Sequence, residues 1–138
     1  MAKVIGIMGE SGSGKTTSMR DLDPATTFYL DSDKKGLSWK GWKKQYSYEK
    51  LNYMATDQIS TVNQILEKIN SQDNMKHIKV VVIDTLNGLM VADEVRRMKD
   101  KGFDKWQDLA QCVWELLDSL YTFRDDLTII VVCHSQTQ

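Results

Sequence analysis

Two cysteines in 138 residues, Cys112 and Cys133, form no CxxC pair and no cluster with histidine. Their scarcity excludes a disulfide framework and argues against a structural zinc site. Neither sign of charge is in excess. With a net charge of −1, bulk attraction makes no case for nucleic acid or membrane, so any such contact must be a local patch. No apolar run approaches the ~20 residues of a membrane span. Met1-Ala2-Lys3 leads straight into a strand-like run and not into a signal sequence. Repeats, low-complexity tracts and linkers are also missing. What is present, 41% hydrophobic and 27% charged residues, is ordinary globular usage with enough apolar material for one core. The expectation is a soluble, cytoplasmic protein.

Apolar patterning places five strands. Lys3–Met8 is a short buried run before a glycine-rich turn, and Thr26–Leu30 is rich in β-branched and aromatic residues. Leu51–Ala55 is a weaker candidate, Val80–Ile83 the clearest, and Leu127–Cys133 the last. Between them, helices are expected from Gly14 to about Arg20, along Ile59–Ile69, over Leu89–Met98 and along Trp106–Leu120. Strands alternating with helices imply an α/β fold, a mainly parallel sheet of about five strands covered on both faces. Residues 1–138 read as one domain. Its stop just beyond a buried-looking strand leaves two expectations, a domain shortened at its C-terminal side or a natural minimal one.

The chemistry starts at Gly9-Glu10-Ser11-Gly12-Ser13-Gly14-Lys15-Thr16, which satisfies G-x-x-x-x-G-K-[ST] at every fixed position, between a strand and an expected helix. Gly9, Gly12 and Gly14 let the backbone turn its N–H groups around phosphates, and the helix N-terminus faces the same anion. Lys15 is expected to reach the β- and γ-phosphates and the Thr16 hydroxyl to bind Mg2+. These eight residues and Thr17 are the candidate ATP-binding segment of a P-loop domain. Asp84, ending the VVVID run, is the candidate second magnesium residue, though a strand-end or helix-capping aspartate is the plainer alternative.

Thr85 follows Asp84 where a water-activating glutamate is often found, and threonine is no general base. The second strand offers Tyr29-Leu30-Asp31-Ser32-Asp33. On an extended backbone Asp31 and Asp33 point to one side, at the carboxyl end of a strand, where either can orient water. A polar turn before Lys34-Lys35-Gly36 is the competing reading.

Together, the phosphate loop, the YLDSD strand end and the VVVID strand followed by threonine resemble the RecA-like recombinase ATPases. Within that superfamily, YLDSDKKGLSW, VVVIDTLNGL and TIIVVCH are most similar to small phage-encoded ATP-binding proteins of single-strand annealing and recombination. The resemblance implies a Mg2+-dependent ATPase acting on DNA in a host cytoplasm, as a homo-oligomer. It carries the catalytic acid to Asp33, where the family has glutamate, so the shorter side chain implies slow hydrolysis. It also gives His134 the place of a residue that senses the γ-phosphate, with a surface histidine as the plain alternative. His77 receives no role.

Lys34 to Lys50 interleaves lysines with Trp39, Trp42, Tyr46 and Tyr48, the composition that binds single-stranded nucleic acid by stacking and phosphate contact. Packing of these aromatics on the sheet, with the lysines solvated, or an oligomer contact explains the pattern equally. A second basic cluster, Arg96, Arg97, Lys99 and Lys101, follows the magnesium strand, where the resemblance implies a DNA loop. Two other functions fit the same motifs. One is a nucleotide or nucleoside kinase with Arg96-Arg97 as its lid and Asp31 or Asp33 as base. The other is an ATP-loaded switch without useful turnover.

Overall fold

The computed structural model describes residues 2–9, 17–97 and 105–134. Five strands, β1 (Lys3–Gly9), β2 (Thr27–Asp31), β3 (Tyr53–Ala55), β4 (Val80–Asp84) and β5 (Thr128–His134), form one sheet in the order β1-β5-β4-β2-β3. Every pairing is parallel. The helices are α1 (Trp42–Gln45), α2 (Ile59–Ser71), α3 (Leu86–Arg97) and α4 (Lys105–Leu120). This is a P-loop NTPase α/β fold, as the sequence led us to expect.

Boundaries moved where local chemistry outweighed periodicity. The helix expected from Gly14 to Arg20 is a 3-10 turn over Thr17–Asp21, its first part lying outside the described residues. Asp23 ends it: its carboxylate accepts from the Ala25 amide at 2.9 Å, an aspartate turn around Pro24. Helix α3 starts at Leu86, three residues before the expected start, because Thr85 caps it. The Thr85 hydroxyl accepts from the Gly88 amide at 3.1 Å, a side-chain N-cap.

The two sheet faces are covered differently. One carries Phe28, Leu30, Val81, Ile83, Ile129 and Val131 beneath α2, α3 and α4, which contribute Val62, Leu66, Ile69, Leu89, Leu116 and Leu120. Burying each such side chain contributes about 1.5–3 kcal/mol before chain entropy is subtracted, so this face dominates stability. The other carries Tyr29, Val82, Ile130 and Val132 beneath Met19, Leu37, Trp39 and Tyr46. Apart from Met19 in the 3-10 turn, its cover is the aromatic segment between β2 and β3, with only the four-residue α1 in it. Gly36 permits this packing. Its φ is +80°, and a Cβ there would lie 2.6 Å from the Trp42 ring.

Candidate nucleotide and metal site

Strand register assembles the site. Gly9, where the phosphate loop begins, pairs with His134; on the neighbouring strand Asp84 pairs with Val132, and Asp31 pairs with Asp84. Parallel strands therefore bring residues far apart in sequence to one carboxyl edge, where open α/β sheets bind ligands. Glu10, Ser11, Gly12, Ser13, Gly14, Lys15 and Thr16 lie outside the described residues. Thr17 opens the 3-10 turn and His134 closes β5.

Asp84 is buried, and the Tyr29 hydroxyl donates to its Oδ2. Tyr29 is itself fully buried, and burial first, then the Asp84 carboxylate, pushes its phenol far above the ordinary range. It is therefore a permanent O–H donor. The Asp84–Thr85 peptide is cis. Ser32 ties this turn to the end of β2. Its amide donates to the Asp84 carbonyl at 2.8 Å, its hydroxyl accepts from the Thr85 amide at 2.8 Å, and that hydroxyl also donates to the Thr85 carbonyl at 2.6 Å.

Asp31 and Asp33 do not share a side, which corrects the expectation from strand alternation. β2 ends at Asp31, and Lys34 takes a left-handed φ of 58°, so the extended geometry stops before Asp33. Asp31 is buried on the aromatic face. It accepts from the Lys34 amide at 3.1 Å, the Gly36 amide at 2.9 Å and the Tyr53 hydroxyl at 2.7 Å. These donors make Asp31 the anchor of the turn and not a residue that orients water. Asp33 goes the other way, toward α3, and has no hydrogen-bond or ion-pair partner among the described residues. It lines a cavity of about 460 Å³ with Ser32, Lys35, Thr85, Asn87 and Gly88. Lys34, at the same cavity, pairs with Asp57 at 2.9 Å.

The stretch read for base stacking is largely core. Trp39 and Tyr46 are buried edge-on against Tyr29, with ring centroids 6.3 and 5.5 Å away. Trp42 lies tilted on Tyr53 at 5.3 Å. Tyr48 is exposed, but its ring meets Tyr53 edge-on and its hydroxyl accepts from the Ala55 amide. Lys34, Lys35, Lys40, Lys43, Lys44 and Lys50 remain exposed, so the plainer of the sequence readings holds for the aromatics. Of the second basic cluster, Arg96 and Arg97 end α3, and Lys99 and Lys101 lie outside the described residues.

The residues present fit magnesium. Among the described residues no group of three or more His, Cys, Asp or Glu could cage a metal ion. Magnesium needs no such cage, since it is held by one or two carboxylates or hydroxyls, waters and substrate phosphates. One buried, oriented carboxylate at the strand end suits that role. Sequence reasoning missed Tyr29, Ser32 and Gly88 as parts of the site. The sequence offers little signal for them: Tyr29 stands two residues before Asp31, where an aromatic counts only toward strand propensity.

A parallel α/β sheet, a phosphate-loop motif after β1 and an aspartate ending a central strand define a P-loop ATPase class of protein. A family model described as an AAA domain matches residues 1–138. The chain belongs to that family. No curated protein matches it. No helix among the described residues is long and apolar enough to cross a membrane.

Proposed function

We propose that this chain binds ATP with magnesium and hydrolyses it slowly. The register that pairs Gly9 with His134 and, two positions back along β5, sets Asp84 and Asp31 level with Val132, all at one carboxyl edge, is the observation that carries this reading. In it, Lys15 and the loop amides hold the phosphates, and Thr16 and Asp84 hold the ion. Bound magnesium supplies neutralisation of the charge on the β- and γ-phosphate oxygens. Asp33 orients the attacking water, because it is the carboxylate just past β2 that has no partner among the described residues, and His134 hydrogen-bonds near the γ-phosphate.

Hydrolysis is slow in this reading because an aspartate stands one methylene short of a glutamate's reach. The same feature favours a second reading, an ATP-loaded switch whose bound state is passed to a partner. A kinase is less well supported, since Asp31 is committed to its own turn and leaves Asp33 alone as base. Action on DNA in recombination or single-strand annealing, as a homo-oligomer, rests on the resemblance of YLDSDKKGLSW, VVVIDTLNGL and TIIVVCH. With Trp39 and Tyr46 in the core, DNA contact would pass through the exposed lysines.

The test is nucleotide binding and phosphate release with and without magnesium and single-stranded DNA, for the chain, Asp33→Ala and Asp84→Asn. Hydrolysis lost in Asp33→Ala with binding kept supports the ATPase. Tight binding by the unmodified chain without turnover supports the switch. No binding in the unmodified chain overturns both.

A further inference from the structure

Two carboxylates at the sheet edge are built the same way. Tyr29 and Tyr53 are paired in register on β2 and β3. Each sends its hydroxyl diagonally to the aspartate on the neighbouring strand, two positions nearer the carboxyl edge. Tyr53 donates to Asp31 and Tyr29 donates to Asp84. With parallel strands about 4.8 Å apart and a rise of about 3.3 Å per residue, such diagonal neighbours lie roughly 8 Å apart, a span that a tyrosine bridges and a shorter side chain does not. The same bond serves different ends. At Asp31 it completes a turn, alongside the Lys34 and Gly36 amides. At Asp84 it orients the carboxylate read above as the magnesium residue.

We propose that Tyr29 is a positioning residue for Asp84, setting the carboxylate's rotation for a divalent cation bound with a nucleotide. The aromatic segment between β2 and β3 keeps it there. Trp39 and Tyr46 close on the Tyr29 ring edge-on, and they also meet each other at 6.3 Å, so the phenol is held on two sides. The Trp39 indole is fixed in turn, donating to Gln45 Oε1 at 2.6 Å. This gives the aromatic cap a function toward the site without any stacked base. The inference rests on the magnesium–nucleotide reading of Asp84.

The experiment measures affinity for a fluorescent ATP analogue across a magnesium titration and in EDTA, for the full chain, Tyr29→Phe, Tyr53→Phe and Trp39→Phe. Tyr29→Phe keeps the ring and removes only the donor. Its affinity in EDTA should equal that of the unmodified chain, while the magnesium needed for half-maximal enhancement rises about threefold to tenfold. That lies at or below the low end of what losing a partner of a metal-holding group typically costs. Tyr53→Phe loses the same kind of bond on the same face and should leave the magnesium curve unmoved, which separates positioning from general loosening. Should Tyr29→Phe not fold, Trp39→Phe loosens the same ring and should shift the curve in the same direction by a smaller factor. An unmoved curve in the folded variants, or equal shifts in Tyr29→Phe and Tyr53→Phe, overturns the positioning role alone. An unmodified chain whose nucleotide binding ignores magnesium overturns the site reading and this inference with it.

Discussion

The Ser32 hydroxyl both accepts from the Thr85 amide and donates to the Thr85 carbonyl, at 2.8 and 2.6 Å, with both residues buried. One small side chain thus satisfies the backbone on both sides of a turn that neither strand can pair. Ser32→Ala leaves both groups buried without that partner. The expected cost is about 1–3 kcal/mol of unfolding free energy, read by urea denaturation. Ser32→Cys, with a larger and weaker donor, should not restore it.

Gly88 sits on the first turn of α3 with Ser32 and Asp33 against it. A Cβ there would lie 2.5 Å from Ser32 Oγ and 2.6 Å from Asp33 Oδ1. Alanine is favoured over glycine in a helix by about 1 kcal/mol, but overpacking typically costs about 1–3 kcal/mol. Gly88→Ala should therefore range from neutral to a loss of about 2 kcal/mol, since the Ser32 hydroxyl must give way as well as Asp33. Phosphate release should fall well beyond any loss of ATP affinity, because the displaced group is Asp33. Stopped turnover with unchanged nucleotide binding is the pattern to measure.

Asp31 and Asp33 are expected to behave oppositely although only Ser32 separates them. Asp31→Asn weakens bonds to two amides and the Tyr53 hydroxyl and should cost about 3 kcal/mol in thermal or chemical unfolding, since bonds to a charged acceptor are the strong ones. Asp33→Asn should stay within about 0.5 kcal/mol in stability, as expected of a side chain without partners among the described residues, while hydrolysis falls. Equal stability losses in the two variants would refute this division of labour.

Alkaline pH should destabilise the fold through its tyrosines. Tyr29 is raised above its ordinary 10.0 by burial and then by Asp84, and Tyr46 and Tyr53 are raised too, by burial first. The unfolded chain therefore loses these protons first. Their stabilising contribution is complete below pH ~10 and declines as pH rises above it, by about 1.4 kcal/mol per pH unit for Tyr29 alone. Denaturation midpoints between about pH 9 and 11 should fall accordingly, and Tyr29→Phe should flatten the slope.

Much of this architecture was legible because parallel strands buried on both faces are near-continuous apolar runs. Val80–Asp84 and Thr128–His134 were evident on that ground, displaced from the sequence reading by a residue. Helix α2 was equally plain, with Val62, Ile65, Leu66 and Ile69 on its buried face. The short α1 was not, since four residues carry no readable period. Nor was the destination of Trp39 and Tyr46, because an aromatic among lysines has the same composition whether it stacks on a base or on Tyr29.

The sequence by itself determined the α/β class, the phosphate-loop spacing and the candidacy of Asp84, since these depend on local patterns and fixed separations along the chain. Tertiary structure alone decided that β5 lies between β1 and β4, that Tyr29 reaches Asp84, and that Asp31 and Asp33 part company. Those outcomes follow from strand register and from where a strand stops. Both are settled by contacts between segments tens of residues apart, which no local pattern encodes.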